Sequence, residues 1–169
     1  QQVRGFLLWV IDFTADFTSS TPACVGQPVN FYSVQPPNNY TYLWNFGSGA
    51  VATFSMVTSA NPVGVTYTTP GAKTVQLSIT GPGGCVVTQS NVITINPSPV
   101  ASFTSTAPQC VGSAVNFTNT GSTGAGTTYS WSFGSGATPA TSTTQNPAGI
   151  MYSTAGTKTV TQTVTNNFG

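Results

Sequence analysis

Charge is what this sequence has least of. Its 169 residues include three basic and two acidic side chains (Arg4, Asp12, Asp16, Lys73 and Lys158), with no histidine and no glutamate. Charged residues are thus 3% of the chain, against about a quarter in an ordinary soluble domain. Each shortage excludes a class of function. Without clustered Lys and Arg there is no footprint for a phosphate backbone, so nucleic acid is not an expected partner. Two aspartates cannot cage a hard cation, and no metal or cofactor is expected. General acid–base catalysis lacks its usual agents, and nothing is at hand to activate the abundant Ser and Thr, so the chain reads as a non-enzyme. The longest apolar run, residues 6–11, is far too short to span a bilayer, so no membrane insertion is expected. No secretory leader is visible, and Gln1-Gln2 reads as a mature terminus after cleavage, as in an exported protein.

Helical periodicity is missing as well. Alternating apolar and polar residues, broken by Gly, Pro and Asn clusters, predict strands and turns. Hydrophobic residues at 38% and aromatics at 11% argue against disorder, while Thr, Val, Tyr and Phe suit a pleated surface. Thr, Ser, Asn and Gln must supply most of the polar surface. Such a surface offers little electrostatic repulsion, which suits a secreted, packed or polymerised protein.

The dominant positive feature is an internal repeat. Tyr42-Leu43-Trp44-Asn45-Phe46-Gly47-Ser48-Gly49-Ala50 returns as Tyr129-Ser130-Trp131-Ser132-Phe133-Gly134-Ser135-Gly136-Ala137, an offset of 87. Val25-Gly26 and Val29-Asn30-Phe31 return after 86 residues, and Asn61-Pro62 and Lys73-Thr74-Val75 after 85. A period near 85 in 169 residues means two modules, each large enough for its own core. Expected strands in module 1 are 15–19, 28–33, 41–46, 64–67, 73–80 and 86–96; in module 2 they are 101–105, 114–119, 128–133, 149–152 and 158–165. Many short strands with regular turns mean an all-β sandwich or barrel. The reading divides the chain into an extended segment 1–14, a sandwich 15–96, a Pro-rich linker 97–99 and a second sandwich 100–169 that lacks its last strand.

Three cysteines follow the repeat: Cys24 maps to Cys110, while the counterpart of Cys85 would fall just past Gly169. A Cys24–Cys85 disulfide is expected, leaving Cys110 without its partner and pointing to an oxidising, extracellular location.

The same residues carry a family resemblance. Trp44-Asn45-Phe46-Gly47-Ser48-Gly49, Asn61-Pro62, Tyr67, Pro70-Gly71 and Lys73-Thr74-Val75 resemble the PKD (polycystic kidney disease) repeat. Trp131 to Gly136, Asn146-Pro147, Tyr152, Gly156, Lys158-Thr159-Val160 and Val164-Thr165-Asn166 do so again. The resemblance implies two tandem immunoglobulin-like β-sandwiches of the kind used in extracellular stalks, adhesins and accessory modules of secreted hydrolases. Acidic positions of the family pattern are here Asn45, Ser48, Ser132 and Ser135, so a charge-dependent role for that turn is not implied.

Trp44 with Tyr42 and Phe46, and Trp131 with Tyr129 and Phe133, are expected between the sheets as core. Sugar stacking needs exposed aromatics, for which Tyr32, Tyr40 and Phe54 are candidates. Asn39-Tyr40-Thr41 and Asn116-Phe117-Thr118 match the glycosylation pattern, a frequent coincidence in so Thr-rich a chain. The Phe-Gly-Ser-Gly segments lack the Lys and helix of a phosphate loop and read as tight turns.

The most apolar segment lies at the start. Counting back from Ala15-Asp16-Phe17 and Ala101-Ser102-Phe103 sets Trp9 level with Ile95 and Leu7 level with Ile93. This segment therefore has the phase of a last strand, which module 2 lacks. Val3, Leu7, Trp9, Ile11 and Phe13 form one pocket-filling face, and Phe6, Leu8 and Val10 the other. They are expected to complete an acceptor edge of Lys158, Val160, Gln162 and Val164 in another copy, building a head-to-tail homopolymer. Two other origins stay open: a segment cut from a longer adhesin or stalk, and pairing of residues 1–14 within their own chain. A carbohydrate-binding accessory module, with a surface polysaccharide as partner, is the alternative of a different class.

Overall fold

The computed structural model describes residues 13–37 and 39–168. They divide at Pro97/Ser98 into two compact units, each a small β-sandwich described by itself.

Module 1 contains β1 (Phe17–Ser19), β2 (Ala23–Cys24), β3 (Phe31–Ser33), β4 (Thr41–Asn45), β5 (Ala50–Val51), one helical turn α1 (Phe54–Val57), β6 (Thr66–Tyr67), β7 (Gly71–Thr80) and β8 (Val86–Asn96). One sheet has the order β2-β8-β7-β4. Facing it are β1-β3 and β5-β6, tied together by the Val29–Val65 bridge. Alternation decides which side chains enter: Val75, Leu77 and Ile79 of β7 are wholly buried, while the residues between them face out. β8 adds Ile93 and Ile95 to the same core. The centre is aromatic, with Phe17 edge-on to Trp44 at 4.9 Å and Trp44 stacked on Phe46 at 5.7 Å. Such pairs contribute ~0.5–1.5 kcal/mol each beyond their burial.

Module 2 contains β9 (Phe103–Ser105), β10 (Phe117–Asn119), β11 (Thr128–Ser132), β12 (Ala137–Thr138), β13 (Thr141–Ser142), β14 (Met151–Tyr152) and β15 (Thr161–Thr165). Its sheets are β13-β11-β15 on one side and β9-β10 with β12-β14 on the other, the latter joined through Val115–Ile150. Phe103, Phe117, Trp131 and Phe133 repeat the aromatic cluster, with Trp131 stacked on Phe133 at 6.0 Å.

Shared polar contacts explain why the motif recurs. Trp44 Nε1 donates to the Ser59 carbonyl at 2.8 Å, and Trp131 Nε1 to that of Thr144 at 2.9 Å. Tyr67 donates to the Phe46 carbonyl at 3.0 Å and Tyr152 to that of Phe133 at 2.9 Å. Gly47 and Gly134 have positive φ, and a Cβ at either would sit 2.6 Å from a carbonyl oxygen, of Thr74 or Thr159. Only glycine fits there.

The expected Cys24–Cys85 disulfide is not formed. Cys24 is buried in β2, paired in register with Asn96 at the end of β8, while Cys85 is exposed and precedes the start of β8. Eleven residues of extended strand separate those positions, roughly 35 Å, against a limit of ~7 Å between bridged Cα atoms. The repeat matched the two cysteines by position in the chain alone, and the pairing of Ala23-Cys24 with the end of β8, which sets them apart, is only two residues long.

Candidate functional site

The two modules differ most on one flank. In module 1, β8 lies between β7 and β2, antiparallel to the first over ten residue pairs from Gly71–Ile95 to Thr80–Val86, and parallel to the second at Ala23–Ile95 and Cys24–Asn96. The Val25 amide continues this ladder to the Asn96 carbonyl at 2.9 Å. Among the described residues of module 2, no strand occupies that position. β15 pairs with β11 on one side only, residues 156–160 are not in a strand although their counterparts open β7, and Gln109-Cys110 forms no strand although Ala23-Cys24 does.

The consequence is a groove of ≈ 690 Å³ within module 2. Its floor is Phe103, Val115, Phe117 and Tyr152, and its walls include Pro108, Cys110, Lys158 and Val160. The counterparts of the floor in module 1, Phe17, Val29, Phe31 and Tyr67, share one buried cluster with Ile93 and Ile95. Cys24 is 2% exposed where Cys110 is exposed, and Val75 is 0% exposed where Val160 is half-buried. Ala23 and Phe17 are buried, whereas Gln109 is exposed and Phe103 half-buried. The groove is mostly apolar, and its one charged group is Lys158, whose Nζ donates to Thr154 Oγ1 at 2.8 Å and stands 5.6 Å from the Tyr152 ring centre. Lys73 repeats that arrangement with Thr69 and Tyr67, but is buried. Burial pushes the Tyr67 hydroxyl up to about 12 and raises Tyr152 as well.

The expected acceptor residues divide. Lys158 and Val160 line the groove. Gln162 and Val164 instead point into the core, where Gln162 Nε2 donates to Asn119 Oδ1 at 2.7 Å and Gln162 Oε1 has no donor among the described residues. Of the expected donor face, Val3, Phe6, Leu7, Leu8, Trp9, Val10 and Ile11 lie outside the described residues. Phe13 is corrected: it is buried in module 1 itself, 5.3 Å from the Tyr40 ring and close over Gly81, where any Cβ would meet it at 2.7 Å. Missed by the sequence reading were Phe103, Pro108, Val115 and Phe117, whose role as groove lining depends on which strand is missing above them.

Other candidates resolve as packing. Trp44, Tyr42, Phe46, Trp131 and Phe133 are buried. Tyr32 is exposed, Tyr40 is packed against the core, and the side chain of Phe54 is not described, so no coplanar exposed aromatic set is seen among the described residues. Asn116 uses its side-chain oxygen to accept from the Gly149 amide at 2.9 Å, as Asn30 does from Gly64.

Fold and flank together define a class: tandem immunoglobulin-like sandwiches, one closed and one open along the edge next to its final strand. Family models described as PKD domain match residues 13–94 and 96–169. The chain belongs to the PKD domain family. PKD domains typically occur in extracellular or surface proteins, and tandem copies suggest a structural or adhesin-like segment. A solved structure described as "Structural basis for the promiscuous specificity of the carbohydrate-binding modules from the beta-sandwich super family" is similar at 17% identity, covering 92% of this chain and 84% of that one, with a TM-score of 0.38. At that similarity nothing about binding carries over to this chain. No curated protein matches the chain. No helix among the described residues is long and apolar enough to cross a membrane.

Proposed function

We propose that this chain is a structural, non-catalytic subunit of an extracellular filament or surface appendage, and that residues 3–11 of one copy complete module 2 of the next. The observation that supports this reading is the groove between residues 107–111 and 154–160, open in module 2 at the place β8 fills in module 1. An extended strand satisfies such an edge through its backbone, while alternate side chains fill the pockets beneath. Residues 3–11 have the apolar content and the repeat phase for it. The contact is head-to-tail and does not close on itself, so it propagates as a fibre. With their apolar side chains covered, each large residue contributes ~1.5–3 kcal/mol, and dissociation is slow.

The test is the double variant Leu7→Asp, Trp9→Asp, compared with the unaltered protein by negative-stain electron microscopy and circular dichroism. Filaments from the unaltered protein, lost in the variant while both modules stay folded, are expected. Normal fibres from the variant, or isolated two-module particles from the unaltered protein at high concentration, would overturn the reading. The second result would favour a stalk segment whose groove is filled from elsewhere in a longer chain.

A further inference from the structure

Resting on the strand-donation reading, we infer that the groove accepts its strand in one register, with Val10 of the incoming copy beside Cys110, Trp9 between Gln109 and Gly156, and Leu7 opposite Lys158. Module 1 supplies the template. There Asn96 pairs with Cys24, Ile95 pairs with Ala23 on one side and Gly71 on the other, and Ile93 pairs with Lys73. The repeat carries Cys24 to Cys110, Ala23 to Gln109, Gly71 to Gly156 and Lys73 to Lys158, and it carries Ile93, Ile95 and Asn96 back to Leu7, Trp9 and Val10.

Side-chain alternation and the repeat make this register specific. A strand slipped by one residue presents its other face to the floor, reversing which side chains enter. A slip of two keeps the face but moves Trp9 off Gly156, where φ is +106° and a Cβ would meet nothing within 4 Å. Gly71 is equally open in module 1, where Ile95 pairs with it, so the place opposite Gly156 is the one the repeat assigns to a large apolar side chain, here Trp9. In this register Cys110 is covered as Cys24 is, and the carbonyl of Ile11 takes the place of the Pro97 carbonyl that accepts from Cys24 Sγ at 3.6 Å.

Neighbouring strands put paired Cα atoms about 5 Å apart, inside the range a disulfide spans. Single variants Leu8→Cys, Val10→Cys and Asp12→Cys, each in a Cys85→Ser background, are therefore assembled, oxidised with copper phenanthroline and run on a non-reducing gel. Val10→Cys is expected to give a ladder of multimers through native Cys110, roughly tenfold more than either neighbour, since only paired positions meet the geometry. Assembly with the strongest ladder from Leu8→Cys or Asp12→Cys would overturn the register and leave strand donation standing. A disulfide confined to monomer mass would overturn the second copy as occupant. Cys110 alkylation in the unaltered protein separates the remaining case. If no variant forms multimers and Cys110 reacts as fast in concentrated as in dilute protein, donation itself fails.

Discussion

Tyr67 and Tyr152 hold the same post in the two modules, each donating its hydroxyl to the backbone carbonyl of the motif phenylalanine. The difference is cover: Tyr67 is 1% exposed and its hydroxyl ionises only at about 12, because burial disfavours the phenolate. The sign follows directly. A folded-state value above the unfolded ~10 means the stabilisation is fully present below pH ~10 and is lost as pH climbs toward 12. Module 1 is expected to hold through pH ~10 and weaken above it, and Tyr67→Phe should remove that part of the alkaline loss. The same change forfeits a hydrogen bond and lowers stability at neutral pH by ~1 kcal/mol. Thermal melts from pH ~8 to ~12 check both; an unchanged alkaline profile in Tyr67→Phe would contradict the assignment. Tyr67 was legible in the sequence as a motif position. The buried hydrogen bond of Gln162 to Asn119 was not legible, because alternation along a strand does not tell which polar side chain of a distant strand stands opposite.

At the scale of the element, residues 71–75 and 156–160 are nearly the same sequence in different circumstances. Lys73-Thr74-Val75 lies in a ten-residue strand and pairs there with β8; Lys158-Thr159-Val160, with no such neighbour among the described residues, lies in no strand. Backbone pairing, rather than intrinsic propensity, decides strand length here. Hydrogen exchange should show it: amides of 71–80 protected in the unassembled protein, and those of 156–165 on the free edge exchanging many-fold faster. On assembly the second set should become protected. Free-edge amides already as slow as those of β7 in dilute protein would mean that the groove is filled within the chain.

On the scale of the whole molecule, module 1 carries a strand beside β7 and module 2 shows none in that place among its described residues, so their stabilities should differ. Module 2 lacks the apolar cover that Ile93 and Ile95 give module 1, and is expected to melt first. A synthetic peptide of residues 3–11, added to protein lacking that segment but keeping Phe13, should raise only the lower transition. At roughly a hundredfold excess over its dissociation constant the stabilisation is about 2.7 kcal/mol. A peptide carrying Asp at positions 7 and 9 should have no effect. Calorimetry checks this, and equal shifts from both peptides would argue against a specific groove.

The sequence alone determined the all-β class, the two modules and the aromatic core, since period-two alternation and an 85-residue repeat are local properties of the chain. It also determined that residues 3–11 have the phase of a last strand. Only the tertiary structure decided that Cys24 and Cys85 lie at opposite ends of β8, that Phe13 belongs to module 1, and that Gln162 is inside. It likewise revealed which side chains line the groove. These depend on which segment stands beside which, and pairing between distant segments is settled by the folded sheets rather than by any window of sequence.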